Sequence, residues 1–297
     1  MRDGLVRVVL KATARTLGAF ELRVTRWWLS RRGDPRYRLT GSCNGCGKCC
    51  ERPSIQAGVL LWRLPVLRAL TLWWQRVVNG FELVEVDPRE IDPEHVLLPP
   101  ERDVVERAID TRRWQYAAGR HCAREGMRQL GLPPAPITQD SDRAPCFPPG
   151  IVGTITHTQW WCAAAVALSA THRALGVDVE PDTVLKATLF NSVLVPDEIA
   201  TLSRVDEPLR GLLGKLVFSA KECAYKAQYT VSRTFYGFHG MRVALPGLDG
   251  ATALPDEGEF SAIFLRDAGP FVIGDALRGR YVRAHGYLMT GVELRHG

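Results

Sequence analysis

The sequence predicts an α+β fold, and three observations lead there. Stretches with helical periodicity, over about 100–130 and 212–233, are separated by short strand-like runs that follow one another directly. A doubly wound parallel sheet would instead alternate strand and helix throughout. Beyond Gly237 the pattern turns wholly to β, with Met241–Ala244, Phe260–Leu265 and Tyr281–Leu294 showing the alternation of a half-buried sheet. At 297 residues and 46% hydrophobic, the chain can bury one large or two modest domains.

Charge and cysteine usage narrow the classes. The formal net charge is +6, but residues 1–38 hold ten Lys/Arg against Asp3, Glu21 and Asp34, which leaves the remainder close to neutral. The basic excess belongs to an N-terminal arm, so the body is not expected to bind nucleic acid. Eight cysteines, four of them within Cys43–Cys50, are too unevenly spaced for a disulfide scaffold, and a reducing cytoplasm is the expected location. Leu60–Val78 is broken by Arg63, Pro65, Arg68 and Arg76, which argues against a transmembrane segment. Arg7, Lys11 and Arg15 interrupt any signal-peptide core, although an Arg-rich, acid-poor start also fits an organelle transit peptide. A monomer is expected.

Residues 4–30 place Arg7, Lys11 and Arg15 one per turn beside Val6, Val9, Leu10, Leu17 and Phe20, a basic amphipathic helix. It suits a membrane surface or a partner, or is a solvated basic face over a small core. Cys43, Cys46, Cys49 and Cys50 follow in a glycine-rich stretch, where thiolates two residues apart can reach one zinc or iron, or remain inert. Residues 1–85 are taken as one module. Residues 86–99, with Asp87-Pro88, Asp92-Pro93 and Leu98-Pro99-Pro100, read as a linker, and 100–297 as the second domain.

A helix is expected from Pro100 to about Leu130, where Arg113, Arg120 and Arg124 either grip phosphates or form a solvated face. Leu132–Gly150 reads as a loop. Two strands joined by a short turn at Thr171–Arg173 are expected, and His157 is placed where a strand begins, either structural or poised as a charged phosphate donor. Leu185–Leu213 reads as helices punctuated by Pro196 and Pro208, and 212–233 as one helix. No internal repeat is evident at the residue level.

The chemistry concentrates between Gly176 and Lys226. Asp178 and Glu180, two apart in an apolar strand, project to one side. On the later helix Glu222 and Lys226 stand one turn apart, with Lys221 beside them. Three oxygen donors flanked by lysines suit Mg²⁺ with a phosphate ester, because Mg²⁺ takes octahedral oxygen and shares its shell with substrate phosphates. The competing reading is a structural ion-pair network between Glu222 and the lysines.

Gly153-Thr-Ile-Thr-His157, Gly176-Val-Asp-Val-Glu180 and Phe218-Ser-Ala-Lys-Glu-Cys-Ala-Tyr-Lys226, in this order and preceded by Arg112–Arg124 and Arg143–Gly150, resemble the 4′-phosphopantetheinyl transferases. Among them it resembles the bacterial group typified by the enterobactin synthetase D component and related actinobacterial enzymes, and the likeness covers about 97–297. It implies two similar α+β halves with the active site in the cleft between them, and transfer of phosphopantetheine from coenzyme A to a serine of an acyl or peptidyl carrier protein, releasing 3′,5′-ADP. It further implies that Asp178, Glu180 and Glu222 hold Mg²⁺, and that His157, Arg112, Arg120 and Arg143 contact the phosphoadenosine end. Lys221 and Lys226 would neutralise the pyrophosphate, and Glu222, or a water it holds, would accept the serine proton. Residues 30–85 resemble cysteine-cluster proteins of the YkgJ type, which chelate zinc or iron, but the next cysteine here is Cys122. The alternative function is therefore a zinc- or iron-binding cysteine-cluster protein with a non-catalytic C-terminal scaffold.

Overall fold

Alternation along each strand and small residues along two long helices set the architecture. A computed structural model describes residues 81–248 and 251–296. The expected basic helix and the cysteine cluster lie outside them. In order, the elements are β1 Phe81–Val86, α1 Pro93–Val96, α2 Pro99–Val105, α3 Asp110–Gln129, β2 Thr138–Gln139, β3 Pro145–Cys146, β4 Ile151–His157 and β5 Cys162–Leu168. There follow β6 His172–Pro181, α4 Phe190–Val193, α5 Pro196–Leu202, α6 Glu207–Ser232, β7 Met241–Ala244, β8 Glu257–Phe264, β9 Ala276–Ala284 and β10 Tyr287–Arg295.

Two antiparallel sheets result, ordered β1-β5-β4 and β6-β10-β9-β8-β7, with β2 and β3 as a separate pair. Each sheet carries a helix on one face. On β5, Ala164 and Val166 face α3, where Ala123 and Met127 meet them, while Ala163, Ala165 and Ala167 face the other way. On β6, Leu175, Val177 and Val179 meet those alanines, while Ala174 turns to α6 with Ala220, Ala224 and Ala227. Small side chains let helix and strand approach closely. A Cβ on Gly176 would stand 1.9 Å from the Cys223 carbonyl oxygen, so only glycine fits there.

Several expectations change. The helix expected over 100–130 is two helices, because the chain leaves helical geometry between Val105 and Asp110. The supposed linker at 86–99 is packed, since Ile91 and Leu97 fill the first half's core, and the expected boundary at 85 falls inside β1, which pairs along β5 and buries Leu83 between the two halves. The strands flanking Thr171–Arg173 do not pair with each other; β5 stays in the first sheet while β6 pairs with β10. The run 281–294 is a hairpin, turning at His285 (φ 54°) and Gly286 (φ 81°), two left-handed residues that match a tight turn.

An internal repeat also exists. Val84-Glu-Val-Asp-Pro88, Val96-Leu-Leu-Pro-Pro-Glu101 and Ala123-Arg-Glu125 in the first half correspond to Val177-Asp-Val-Glu-Pro181, Val193-Leu-Val-Pro-Asp-Glu198 and Ala220-Lys-Glu222 in the second. These pieces occupy matching elements, β1 and β6, α2 and α5, α3 and α6, and the strand orders β1-β5-β4 and β6-β10-β9 match as well. The two similar α+β halves are thus present in both sequence and topology. The repeat is short and interrupted by segments of unequal length, which is why a reading for a fixed period passes over it.

Candidate active site

Strand β6 turns Asp178 and Glu180 toward α6, and α6 answers with Lys215, Ser219, Glu222 and Lys226. Their spacings of four, three and four residues put them on one helix face. Asp178 is buried: Oδ1 accepts from Lys226 Nζ (2.8 Å) and Thr156 Oγ1 (3.3 Å), and Oδ2 from Ser219 Oγ (2.9 Å). Lys226 also donates to the Val177 carbonyl at 3.0 Å, and Lys215 donates to Glu180 Oε2 at 2.9 Å. Thr156 reaches across from the edge of the first sheet, where its hydroxyl accepts from the Val179 backbone at 3.2 Å. Thr290 of β10 stands 2.8 Å from Ser219 Oγ and closes the floor.

The electrostatics follow from this crowding. Burial raises the Glu222 pKa, and the charges of Asp178 and Glu180 add to it against the pull of Lys226. Burial works against the charge on Lys226, but Asp178 and Glu222 outweigh it, and the Lys226 pKa is raised. Burial, together with Arg112 and Lys226, lowers His157 to about 4. His157 is therefore neutral near pH 7, and its Nε2 accepts from Arg112 Nη1 at 3.1 Å. In the free chain the cation at this spot is Arg112, with His157 as its acceptor.

The predicted residues separate into two groups. Asp178, Glu180, Glu222 and Lys226 converge, with His157 and Arg112 at the adjoining end of β4. Lys221 does not join them. It is buried on another side of α6, where Nζ donates to Glu198 Oε2 (2.7 Å) and the Val193 carbonyl (2.8 Å), so it cannot present its charge to the cleft. Arg120 lies near His157, yet it is buried against the Tyr116 ring and donates to the carbonyls of Ile137 (3.0 Å) and Thr138 (3.2 Å). Arg124 pairs in the core with Glu101, and Arg113 pairs with Glu94, so neither a phosphate grip nor a solvated face describes Arg124. Arg143 is exposed, at φ 66° in a turn closed by Asp140.

Sequence reasoning missed Lys215, Ser219, Thr156 and Thr290. The first two carried a signal, since stepping back from Lys226 and Glu222 by helical spacing lands on Ser219 and Lys215. Thr156 and Thr290 come from distant strands and carried none. The alternative of an ion-pair network between Glu222 and the lysines is not what forms, because Lys226 pairs with Asp178, Lys221 pairs with Glu198, and Glu222 has no ion-pair partner among the described residues.

Three carboxylates within mutual electrostatic reach fit a hard divalent cation in donor type and charge. Among the described residues no three His, Cys, Asp or Glu side chains converge closely enough to enclose a metal. Asp178 and Glu180 are instead held by Lys226 and Lys215. Beside Glu222 opens a cavity of about 180 Å³, walled by Tyr225, Phe235, Tyr236, Phe238 and Met241 and also by Lys221, whose ammonium is tied to Glu198 and the Val193 carbonyl. Together these features offer a place for a polyanion next to a slot for a neutral chain.

Comparison with known proteins agrees. Residues 100–167 match the 4′-phosphopantetheinyl transferase N-terminal domain, and residues 174–272 match the 4′-phosphopantetheinyl transferase superfamily. A 4′-phosphopantetheinyl transferase of Nocardia iowensis is 32% identical over 199 residues, 65% of this chain and 87% of that one. One of Mycobacterium tuberculosis is 31% identical over 212 residues, 70% and 88% of the two chains. Enterobactin synthase component D of Salmonella typhi is 30% identical over 175 residues, 58% and 68%. The repeat-built halves, the acidic and ammonium stripe between β6 and α6, and these matches lead to one conclusion: the chain belongs to the 4′-phosphopantetheinyl transferase superfamily.

Proposed function

We propose that this chain moves the 4′-phosphopantetheine arm of coenzyme A onto a serine hydroxyl of an acyl or peptidyl carrier protein. The observation that carries the reading is the face of α6 bearing Lys215, Ser219, Glu222 and Lys226 opposite Asp178 and Glu180, with Arg112 and His157 contributed by the first half. In the reaction the serine oxygen bonds to the arm's phosphorus, the pyrophosphate P–O bond breaks, and 3′,5′-ADP leaves with that electron pair. Such a transfer asks a protein for alignment and charge neutralisation more than for covalent chemistry.

Asp178, Glu180 and Glu222 are the residues that would hold Mg²⁺, which when bound supplies positive charge to the pyrophosphate. Lys226, kept protonated by Asp178, neutralises the departing nucleotide. Arg112 provides the cation for the 3′-phosphate, and the neutral His157 orients it. Glu222, whose raised pKa suits proton acceptance, takes the serine proton directly or through a water. The aromatic cavity beside Glu222 accepts the neutral pantetheine chain.

The test is to incubate the purified protein with coenzyme A, Mg²⁺ and a panel of apo carrier domains, and to follow the mass gained by each carrier. Transfer to at least one carrier, lost in Glu222→Gln, is the expected result. No gain on any carrier beside an active control enzyme would overturn the reading.

A further inference from the structure

The buried Lys221 belongs to a device that the chain contains twice. In the second half Glu198, third residue of α5, accepts from the Val195 backbone (2.8 Å), from the Val243 backbone of β7 (2.6 Å) and from Lys221 of α6 (2.7 Å). Lys221 also donates to the Val193 carbonyl. In the first half Glu101, third residue of α2, accepts from the Leu98 backbone (2.9 Å), from the Ile137 backbone (2.8 Å) and from Arg124 of α3 (2.5 Å). Arg124 also donates to the Val96 carbonyl at 2.7 Å. In both copies the cation lies 23 residues beyond its glutamate, and its carbonyl partner stands five residues before it. Side-chain exposure is 5% and 0% for Arg124 and Glu101, and 3% for each of Lys221 and Glu198.

We propose that Lys221 is a positioning residue for Glu222: the Glu198–Lys221 cradle fixes the rotation of α6 about its axis and so aims Glu222, Ser219 and Lys226 at β6. This rests on the reading of the site as that of a transferase. Neighbours on a helix point about 100° apart, so anchoring Lys221 to Glu198 of α5 and to the Val193 carbonyl at the end of α4 dictates where Glu222 looks. The first-half copy argues against a role in binding phosphate. There the glutamate after the cation, Glu125, pairs with Arg128 at the surface, and Arg124 ties α3 to Glu101 of α2 and to the Val96 carbonyl.

The experiment compares the full chain with Lys221→Met and with Lys221→Met combined with Glu198→Gln, which removes both charges; the Val195 and Val243 N–H groups bond to different carboxylate oxygens, so the glutamine oxygen keeps one of them. Breaking one side of a buried pair leaves an uncompensated charge, whereas removing both is often close to neutral. Turnover in Lys221→Met should fall about tenfold to a hundredfold, as expected when a reacting group is displaced. The calorimetric Kd for coenzyme A should stay within roughly threefold. In the double variant the urea midpoint should return in part, short of the parent by the one backbone N–H left without its acceptor, and at least about tenfold of the lost turnover should return with it.

A Kd weakened by about tenfold or more in both variants would make Lys221 a substrate ligand, and no recovery in the double variant would remove the cradle. Should the single variant not fold, the double variant decides alone, since folding with native coenzyme A affinity supports the cradle. If the unmodified protein transfers to no carrier, the transferase reading has failed. The recovery of the urea midpoint still decides whether Glu198 and Lys221 act as a pair.

Discussion

Gly176→Ala places one methyl group where β6 touches α6. The new Cβ would meet the Cys223 carbonyl oxygen at 1.9 Å, its carbon at 2.9 Å and the Ala227 nitrogen at 3.0 Å. All three are backbone atoms in the middle of a 26-residue helix, so no side chain can swing aside. Strand and helix must part by roughly 1.5 Å before an ordinary contact is reached. Overpacking of this kind costs about 1–3 kcal/mol when side chains can yield, and about 3 kcal/mol or more is expected here. At about 2–4 °C per kcal/mol for a body of this size, the melting temperature should fall by roughly 6–12 °C. Asp178 lies two residues along the same strand and faces the helix being pushed away, so its contacts to Ser219 and Lys226 open too. A displacement of about 1 Å at reacting groups is worth around a hundredfold in rate. Thermal unfolding and carrier-loading assays on the variant check both numbers. A melting temperature within about 2 °C of the parent, with full turnover, would refute the claim that this contact sets the spacing of the site.

Three further outcomes are expected. Asp178→Ala strips partners from Thr156, Ser219 and Lys226, and because Lys226 remains 24% exposed the loss should be roughly 2–4 kcal/mol, below that of a fully buried pair. Asp178→Asn should cost about half as much in urea unfolding while abolishing transfer equally, and equal destabilisation by the two would contradict the contact scheme. His157 has a folded-state pKa of about 4 against 6.5 in the open chain, so the folded form binds fewer protons; its contribution to stability is complete above pH 6.5 and drains away as pH falls toward 4. Its NMR titration should sit near 4 in the free protein and climb when 3′,5′-ADP is added, and a free-protein midpoint near 6.5 would sink the assignment. Chelating divalent cations should abolish carrier loading and Mg²⁺ should restore it, whereas turnover that survives the chelator would remove the metal role of the three carboxylates.

What the sequence disclosed depended on how far each signal reached along the chain. Asp178 and Glu180 were legible because strand alternation is a two-residue rule, and the breaks at Pro196 and Pro208 because proline acts on its own turn, although the helix expected from 212 already begins at Glu207 beside Pro208. Glu222 and Lys226 were legible by helical spacing, and the same spacing pointed to Ser219 and Lys215. Lys221 was misread because adjacency in sequence is not adjacency on a helix; a residue next to a site glutamate points about 100° away. The Arg120 and Arg124 guanidinium groups looked like a surface because arginine usually is one, and only the carbonyls of Val96, Ile137 and Thr138 and the carboxylate of Glu101 reveal otherwise. Thr156 and Thr290 needed two strands to be brought beside β6 and α6, which no local pattern encodes.

The packed segment before Pro99 changes what a minimal transferase fragment must contain. A break at residue 95, natural if 86–99 were a linker, removes β1, the outer strand of the first sheet, whose residues pair with Cys162 through Ala167. It also removes Leu83 and Ile91, both buried, and Glu94, the partner of Arg113. Deleting a buried leucine side chain alone costs about 2–5 kcal/mol, a large share of a typical domain's stability of 5–15 kcal/mol. Loss of β1 would also leave β5 as an unpaired edge of alanines, a surface prone to pairing with other chains. A fragment 95–297 should therefore aggregate or melt far below a fragment 79–297, although both retain every predicted site residue from Arg112 onward. Because His157 ends β4 and Thr156 braces Asp178 from the same strand, damage to the first sheet should reach the acids on β6. Size-exclusion profiles and carrier loading of the two fragments test this together, and equal monomer yield and turnover would show that β1 and the turns behind it are dispensable.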